Sequence, residues 1–516
     1  MIGIISRVQI LIQFFLISMF TSSFVFAGTD AFLLKEKVVD ASEVPFGYSI
    51  LSESICISSD GTRIGYAATK KLKISLVINN DKYFDFSAIN KGFPLFSPDS
   101  KHFIAIMKKI GWVLVVDGKQ SASYDAVGQV LFSPDSKRLA YVVQQNKMQH
   151  VILNGKKGPG YEGIAKTDGL IFSPDSLKLA YPVFKEGRWL MVIDGKNQSF
   201  YDKIGTKVFS PDSKHFVYAA LKNDKWVVVF DGRESPFYDA VNIIDFSPNG
   251  RQLVYTFVKD GQHYVCMVPI DAIDEKTKEV FMDKNAKGPY DWIEFLGFSP
   301  DASRFAFTAL KDDSWFSVID GKKDPKYDQI VYLNFSSDSK RVAYAAKNKD
   351  KWRWVIDGDT GREYDMVGDM IFSPDSKKTA FMAMKSKAWH MVIDGQEGKG
   401  YLQIGPPVFS PDSKYLAYMA VKDAKMIMVI NEKQGKSYDA VGGISYFSPD
   451  SKHHAYMAKK DNMWLVVVDE KEGAEKFDGF LKQTRLVFNS PNSFHALALR
   501  SYSPEFVRLE VEIDKH

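Results

Sequence analysis

Phe96-Ser97-Pro98-Asp99-Ser100-Lys101 is a phrase that the chain repeats almost from end to end. It returns at Phe132, Phe172, Phe209, Phe372, Phe409 and Phe447, and in looser form at Ile57, Phe246, Phe298, Phe335 and Phe488, making twelve copies. Most neighbouring copies stand about 37 residues apart. A period of about 20 to 50 residues marks a repeat architecture, in which one supersecondary unit cannot bury its apolar face alone.

Residues 201–246 show the grammar of one unit. Lys207-Val208-Phe209 is strand-prone and runs into Ser210-Pro211-Asp212-Ser213. Pro presets the backbone angle of the second position of a type I turn, and Ser and Asp favour its neighbours. The phrase therefore reads as a turn between two strands. Lys214 to Leu221 reads as the second strand, Trp226-Val227-Val228-Val229-Phe230 as the third, and Asp231-Gly232 as a tight turn before a fourth near Tyr238-Asp239. Four short strands per unit with no helical period predict an all-β chain of twelve four-stranded β-propeller blades. Trp112, Trp189, Trp226, Trp315, Trp352, Trp389 and Trp464 each precede the same Asp position by five residues, and Tyr-Asp recurs at Tyr124, Tyr201, Tyr238, Tyr290, Tyr327, Tyr364 and Tyr438. Repetition in blade after blade assigns both to packing.

The Phe-Ser-Pro-Asp-Ser-Lys phrase followed by a Leu-Ala-Tyr type strand resembles the WD40-like propeller repeat of the TolB family, found also in propellers of tricorn-like and prolyl-oligopeptidase-like proteins. The resemblance implies the fold over nearly the whole mature chain. It implies no activity: neither the N-terminal α/β domain of TolB nor a peptidase domain has room here, and no catalytic residue carries over.

One interval breaks the rhythm, with 52 residues between Phe246 and Phe298. The excess, Asp271 to Pro289, is rich in Asp, Glu and Lys and reads as a solvated connector or short helix. Strand-like segments stand before the first copy and before the seventh, and each half ends one strand short. A first strand that completes its own ring's last blade removes an exposed edge. The expected organisation is therefore two six-bladed rings in tandem: lead segment 28–45, first propeller 46–271, connector 272–289 and second propeller 290–516. One twelve-bladed ring is the alternative.

Residues 1–27 read as a signal peptide, with Arg7, an apolar run from Val8 to Phe20, and Val25-Phe26-Ala27 at the cleavage point. Cleavage after Ala27 would leave a periplasmic or secreted chain with no transmembrane span. A retained N-terminal anchor is the competing reading. The net charge of +4 is too small for nucleic-acid binding. Cys56 and Cys266 are the only cysteines, so this is no disulfide scaffold, and sequence leaves their pairing open.

No motif carries chemistry. The nine His residues form no metal signature, no Asp-rich turn has calcium-loop spacing, and Gly-x-Ser-x-Gly is absent. No catalytic residue, metal or cofactor is expected. His102, His215 and His453 share a position held elsewhere by Arg63, Arg138, Lys178, Arg304, Arg341 and Lys378, which reads as a solvated basic residue after the turn.

The loops before the Trp-type strand vary from blade to blade and are rich in Lys: Lys108 and Lys109, Lys185 and Arg188, Lys222 and Lys225, Lys347 and Lys349, Lys385 and Lys387, Lys459 and Lys460. Loops on a rigid scaffold carry function in such folds. The expectation is an exported, non-enzymatic scaffold presenting these loops to a protein or an anionic polysaccharide; a solubilising rim is the bland alternative. The rival from another class is a propeller enzyme, a glycan lyase or hydrolase, recognisable by unrepeated titratable side chains with shifted pKa values at one funnel mouth.

Overall fold

The computed structural model describes residues 32–166, 169–273, 286–481, 484–500 and 505–515. Among the described residues the chain forms twelve antiparallel sheets and no α-helix. The twelve blades form one ring, a β-propeller. The expected signal segment and its cleavage point at Ala27 lie outside the described residues, as do residues 274–285 of the expected connector.

Blade 5 is representative. Its strands are Lys203–Phe209, Phe216–Lys222, Lys225–Phe230 and Arg233–Glu234, paired in that order. The phrase turns the first strand into the second, as its residue types require. Ser210 Oγ donates to Asp212 Oδ1 at 2.6 Å and accepts the His215 N–H at 3.0 Å, while Asp212 accepts the Lys214 N–H at 3.1 Å. Ser213 takes positive φ, +61°, and closes the turn onto Ser210 O at 2.8 Å. Trp226 and Tyr238 exchange backbone hydrogen bonds of 2.8 Å, so the repeated Trp and the repeated Tyr are the two sides of one bridge between third and fourth strands.

Apolar faces of neighbouring sheets form the core. Tyr201 and Tyr218 meet edge-on at 6.0 Å, both with at most 1% of their surface exposed. An aromatic residue buries roughly 150 Å² or more, on the order of 4 kcal/mol of gross transfer energy at about 25 cal/mol per Å². Tyrosine in blade after blade therefore reflects the packing surface between sheets.

Polar links join the blades as well. The second Ser of the phrase accepts, through Oγ, the Asp N–H of the preceding blade's turn: Ser100 from Asp60 at 3.1 Å, Ser136 from Asp99 at 3.0 Å, Ser376 from Asp338 at 3.1 Å. The basic residue after the phrase reaches forward. Arg63 Nη1 donates to Ser100 O at 3.0 Å and Lys101 O at 2.7 Å while its guanidinium lies 5.0 Å from the Phe96 ring centroid. Arg341 does the same with Ser376 O, Lys377 O and Phe372. The reading of this position as a solvated basic residue is thus corrected: where it is Arg or Lys it clamps the next blade. His102, His215 and His453 instead bond the Asp of their own blade's tight turn, at 2.7, 2.7 and 2.6 Å.

The chain does not divide into two rings. The strand Ala286–Tyr290 pairs with Gln262–Pro269 of the blade it follows, completing blade 6 from within. The strand Phe32–Glu43, part of the expected lead segment, pairs along its length with Glu505–Lys515 and becomes the fourth strand of blade 12. Glu36 on it accepts the N–H groups of Ala474 and Glu475 at 2.6 and 3.0 Å, tying blade 12 to blade 11. Leu497 and Phe506 of blade 12 share a core with Ile64 and Tyr66 of blade 1, and Val254 and Val265 of blade 6 share one with Ile293 and Phe307 of blade 7. The edge is removed once, for the whole chain, and the twelve-bladed alternative holds. Cys56 in blade 1 and Cys266 in blade 6 are not joined in a disulfide, and burial pushes the Cys56 thiol up to about 12.

Candidate functional site: the loop face and the hub

All twelve basic residues singled out from sequence lie at hairpins between second and third strands, as in Lys222–Lys225 and Lys385–Ala388. The ring therefore gathers them on one face. Repeated carboxylates neutralise much of that rim. Lys222 pairs with Glu234 at 2.8 Å, Lys385 with Glu397 at 2.9 Å and Lys460 with Glu472 at 2.9 Å, and Lys225 pairs with Asp239. Lys185 meets Glu186 at 3.2 Å and Lys347 meets Asp350 at 3.4 Å. Lys108, Lys109 and Arg188 lie over the rings of Trp112, Phe86 and Phe200. Lys349 offers its backbone N–H to Asp328 at 2.8 Å. Lys387 and Lys459 form no ion pair among the described residues.

The Asp of the Tyr-Asp pair holds these hairpins. Asp365 accepts Lys351 Nζ from blade 8 at 2.6 Å on one oxygen and the Ser386 N–H from blade 9 at 2.9 Å on the other. The Lys351 ammonium, more than any other neighbour, keeps the Asp365 carboxyl below its ordinary range, as Lys225 does for Asp239. Exposed pairs of this kind are screened by solvent, so they order the loops more than they hold the ring.

Unrepeated side chains gather elsewhere, on the first strands. First strands of adjacent blades touch, as Lys203–Phe209 does Ala240–Phe246 and Trp292–Phe298 does Gln329–Phe335, which places them at the hub. Register slips there in blade after blade, between Val127 and Val130, Ile204 and Lys207, Glu294 and Leu296, Val331 and Asn334, Val367 and Met370. These are β-bulges, which re-aim side chains and recur beside functional sites.

In blades 7 and 8 the bulge falls on aromatic residues. Phe295 has φ +44° and Tyr332 φ +59°, each 38% exposed. Bulky residues avoid this region, at a cost of about 1 to 3 kcal/mol each, and such strain concentrates where a surface is built for function. Tyr332 stacks on Trp354 at 6.0 Å and 24°. Trp354 is 1% exposed, and its indole Nε1 has no hydrogen-bond partner.

Three unrepeated carboxylates accompany them: Asp245 in blade 6, Glu294 in blade 7 and Asp369 in blade 9, all open to solvent. The surrounding wall still crowds each one, and burial raises all three above the usual carboxylate range. Burial first and the Asp369 charge second raise the Tyr332 phenol. Blades 7, 8 and 9 thus present Phe295, Tyr332 and Asp369 where blades 3 and 5 present Gln129 and Thr206 at the matching position, while Asp245 and Glu294 stand at other positions of their first strands. Sequence reasoning passed over this arc. Its signal is visible once the residues before each phrase are aligned: Gly-Gln-Val-Leu-Phe132 and Gly-Thr-Lys-Val-Phe209 against Glu-Phe-Leu-Gly-Phe298 and Val-Tyr-Leu-Asn-Phe335. Among the described residues no three His, Cys, Asp or Glu converge as a metal site would require.

No family model matches the chain, and no curated protein matches it. Solved structures do resemble it, as propellers. The crystal structure of a eukaryotic initiation factor is similar at 13% identity, covering 66% of this chain and 96% of that one with a TM-score of 0.35. The β-propeller domain of the Trilobed protease from Pyrococcus furiosus, described as having an open velcro topology, is 16% identical, covering 54% and 97% with a TM-score of 0.26. The Dos1 propeller is 11% identical, covering 56% and 88% with a TM-score of 0.26. At these identities the likeness is one of fold alone. The TolB-like assignment narrows to the β-propeller.

Proposed function

We propose that the chain is an exported binding propeller, without catalytic activity of its own, whose hub arc over blades 6 to 9 takes a basic segment of a protein partner. One observation carries the reading: Asp245, Glu294, Phe295, Tyr332 and Asp369 depart from the repeat together, two of them at the expense of backbone strain. Carboxylates beside exposed rings suit ammonium and guanidinium groups, by charge and by cation–π contact. An anionic polysaccharide suits the molecule less, because the carboxylates of the loop face already balance much of its Lys rim.

The glycan lyase or hydrolase reading draws on the same three carboxylates. Burial accounts for the raised values of Glu294 and Asp369, and burial opposed by the Phe246 N–H for Asp245. Burial raises a general acid in the same way, so this reading stands as the alternative, and turnover of a glycan by the full chain that is lost in Glu294→Gln or Asp369→Asn would establish it.

The test is fluorescence anisotropy with a labelled Lys-Gly repeat peptide, a Glu-Gly peptide and alginate. The basic peptide binds and the other two do not. At about 0.5 kcal/mol per exposed charge, Asp245→Asn/Glu294→Gln/Asp369→Asn together weaken binding roughly tenfold. Equal binding of all three probes, or an unaffected triple variant, rejects the hub as the site. Export is read separately, by sequencing the mature N-terminus, which begins at Gly28.

A further inference from the structure

The clamp between blades is complete at six junctions. Arg63, Arg138, Lys178, Arg304, Arg341 and Lys378 each donate to turn carbonyls of the following blade. The four Arg heads also lie 5.0 to 5.4 Å from the centroid of that blade's phrase Phe. At the junction of blades 6 and 7 the clamp position is Gln252, and the belt of Ser hydroxyls lapses because Ala302 replaces Ser.

The receiving half is nevertheless intact. Ala302 has φ +61° and bonds Ser299 O at 2.8 Å, just as Ser100 has φ +62° and bonds Ser97 O at 2.9 Å. The carbonyls of Ala302 and Ser303 are thus set like those of Ser100 and Lys101, beside Phe298. A cavity of about 460 Å³ opens there, lined by Gln252, Met267, Phe298, Ala302 and Ser303 among others.

We propose that this cavity binds an organic cation, a guanidinium or primary ammonium group on a short apolar arm, in the place a clamp side chain fills elsewhere. The Phe298 face would take the cation, the two turn carbonyls its N–H groups, and Val265 and Met267 the arm. Three charged groups also line the cavity. Arg304 is committed to Asp320 at 2.9 Å, to Lys340 O at 2.7 Å and to the Phe335 face, so that pair is closed. Lys287, on the fourth strand of blade 6, is an exposed like charge and lowers the affinity without blocking the site. The inference is independent of the hub, since it uses none of the hub carboxylates.

Thermal shift and calorimetric titration of the full mature chain provide the test. The probes are agmatine, an N-acetyl Gly-Arg-Gly amide and, as uncharged isosteres, n-pentylurea and the citrulline form of the peptide. Agmatine or the peptide binds saturably and raises Tm with concentration, the isosteres do not, and Gln252→Arg raises the basal Tm while abolishing the response. Binding of the free amine alone identifies a small-molecule ligand, and binding of the peptide a protein side chain. Phe298→Leu weakens binding about three- to fivefold. Lys287→Gln tightens it about twofold and serves as the deciding variant should Gln252→Arg not fold. No saturable binding, equal binding of the isosteres, an undiminished response in folded Gln252→Arg, or unchanged or weaker binding in Lys287→Gln overturns the proposal.

Discussion

Phe506 in the last blade packs against Tyr66 in the first, ring centroids 5.1 Å apart. That contact is where the ring meets itself. Each residue is at most 1% exposed, and both belong to one core shared by blades 12 and 1. Phe506→Ala should cost about 3 to 5 kcal/mol, the range for emptying an aromatic site in a packed core. Denaturant unfolding measures it, and a loss below about 1 kcal/mol would show that the first and last blades are not packed as described.

The serine belt predicts asymmetric effects. Ser136→Ala strands the Asp99 N–H and should cost about 1 to 3 kcal/mol. The belt is missing at Gly250, where an added Cβ would lie 3.9 Å from the Asp212 nitrogen and 3.8 Å from its Cγ. Gly250→Ser should therefore supply a hydroxyl to Asp212 N–H and stabilise by up to about 1 kcal/mol, despite the φ of +69° that Ser tolerates at the same place in other blades. A lower Tm for Gly250→Ser contradicts the belt.

Acid should loosen the ring through the same turns. Asp99, Asp135, Asp175 and Asp338 sit below their ordinary pKa, with the Ser hydroxyl of their own turn as the largest cause, then a backbone N–H. A depressed carboxylate gives stability that is fully present above its unfolded value, about 3.9, and is lost as pH falls through the folded values. Glu36 has the opposite sign: burial raises it, so protonation on mild acidification relieves its cost at the closing strand. Stability followed by circular dichroism should hold level or rise slightly from neutrality to about pH 4, as Glu36 and the raised hub carboxylates take up protons, and then fall. Asn at these four turn positions should flatten that fall.

Strain at the hub separates stability from binding. Phe295→Gly and Tyr332→Gly remove a side chain from backbone at φ +44° and +59°. Each should hold Tm level or raise it, as relief of about 1 kcal/mol or more offsets lost contacts, while weakening the basic peptide. A clear drop in Tm with intact binding would make both residues structural.

The turn phrase was legible because the turn itself is local: the first Ser hydroxyl, the Asp carboxylate and the backbone bond that closes the turn find their partners within six residues, and twelve copies average out the exceptions. Ring closure was not. Ala286–Tyr290 has the composition of a strand that could open a blade or finish one, and only its register, Lys287 opposite Val265, says that it finishes one. The clamp escaped for a similar reason. Arg63 looks like any basic residue after a turn until the next blade supplies Phe96 and two carbonyls to receive it. The hub arc required knowing that the residues before each phrase bulge toward neighbouring first strands, a property of the assembled sheet.

The pairing of Phe32–Glu43 with Glu505–Lys515 has a temporal side. Glu36 reaches a partner 438 residues away, so the first strand made stays unsatisfied until the last has emerged. Through that interval the molecule carries two sticky ends that fit each other, and a second copy's ends fit equally well. Two incomplete chains held close together can exchange these strands and close into a dimer with no new contact invented. Dilution during refolding, more than any sequence change, decides which partner each end finds.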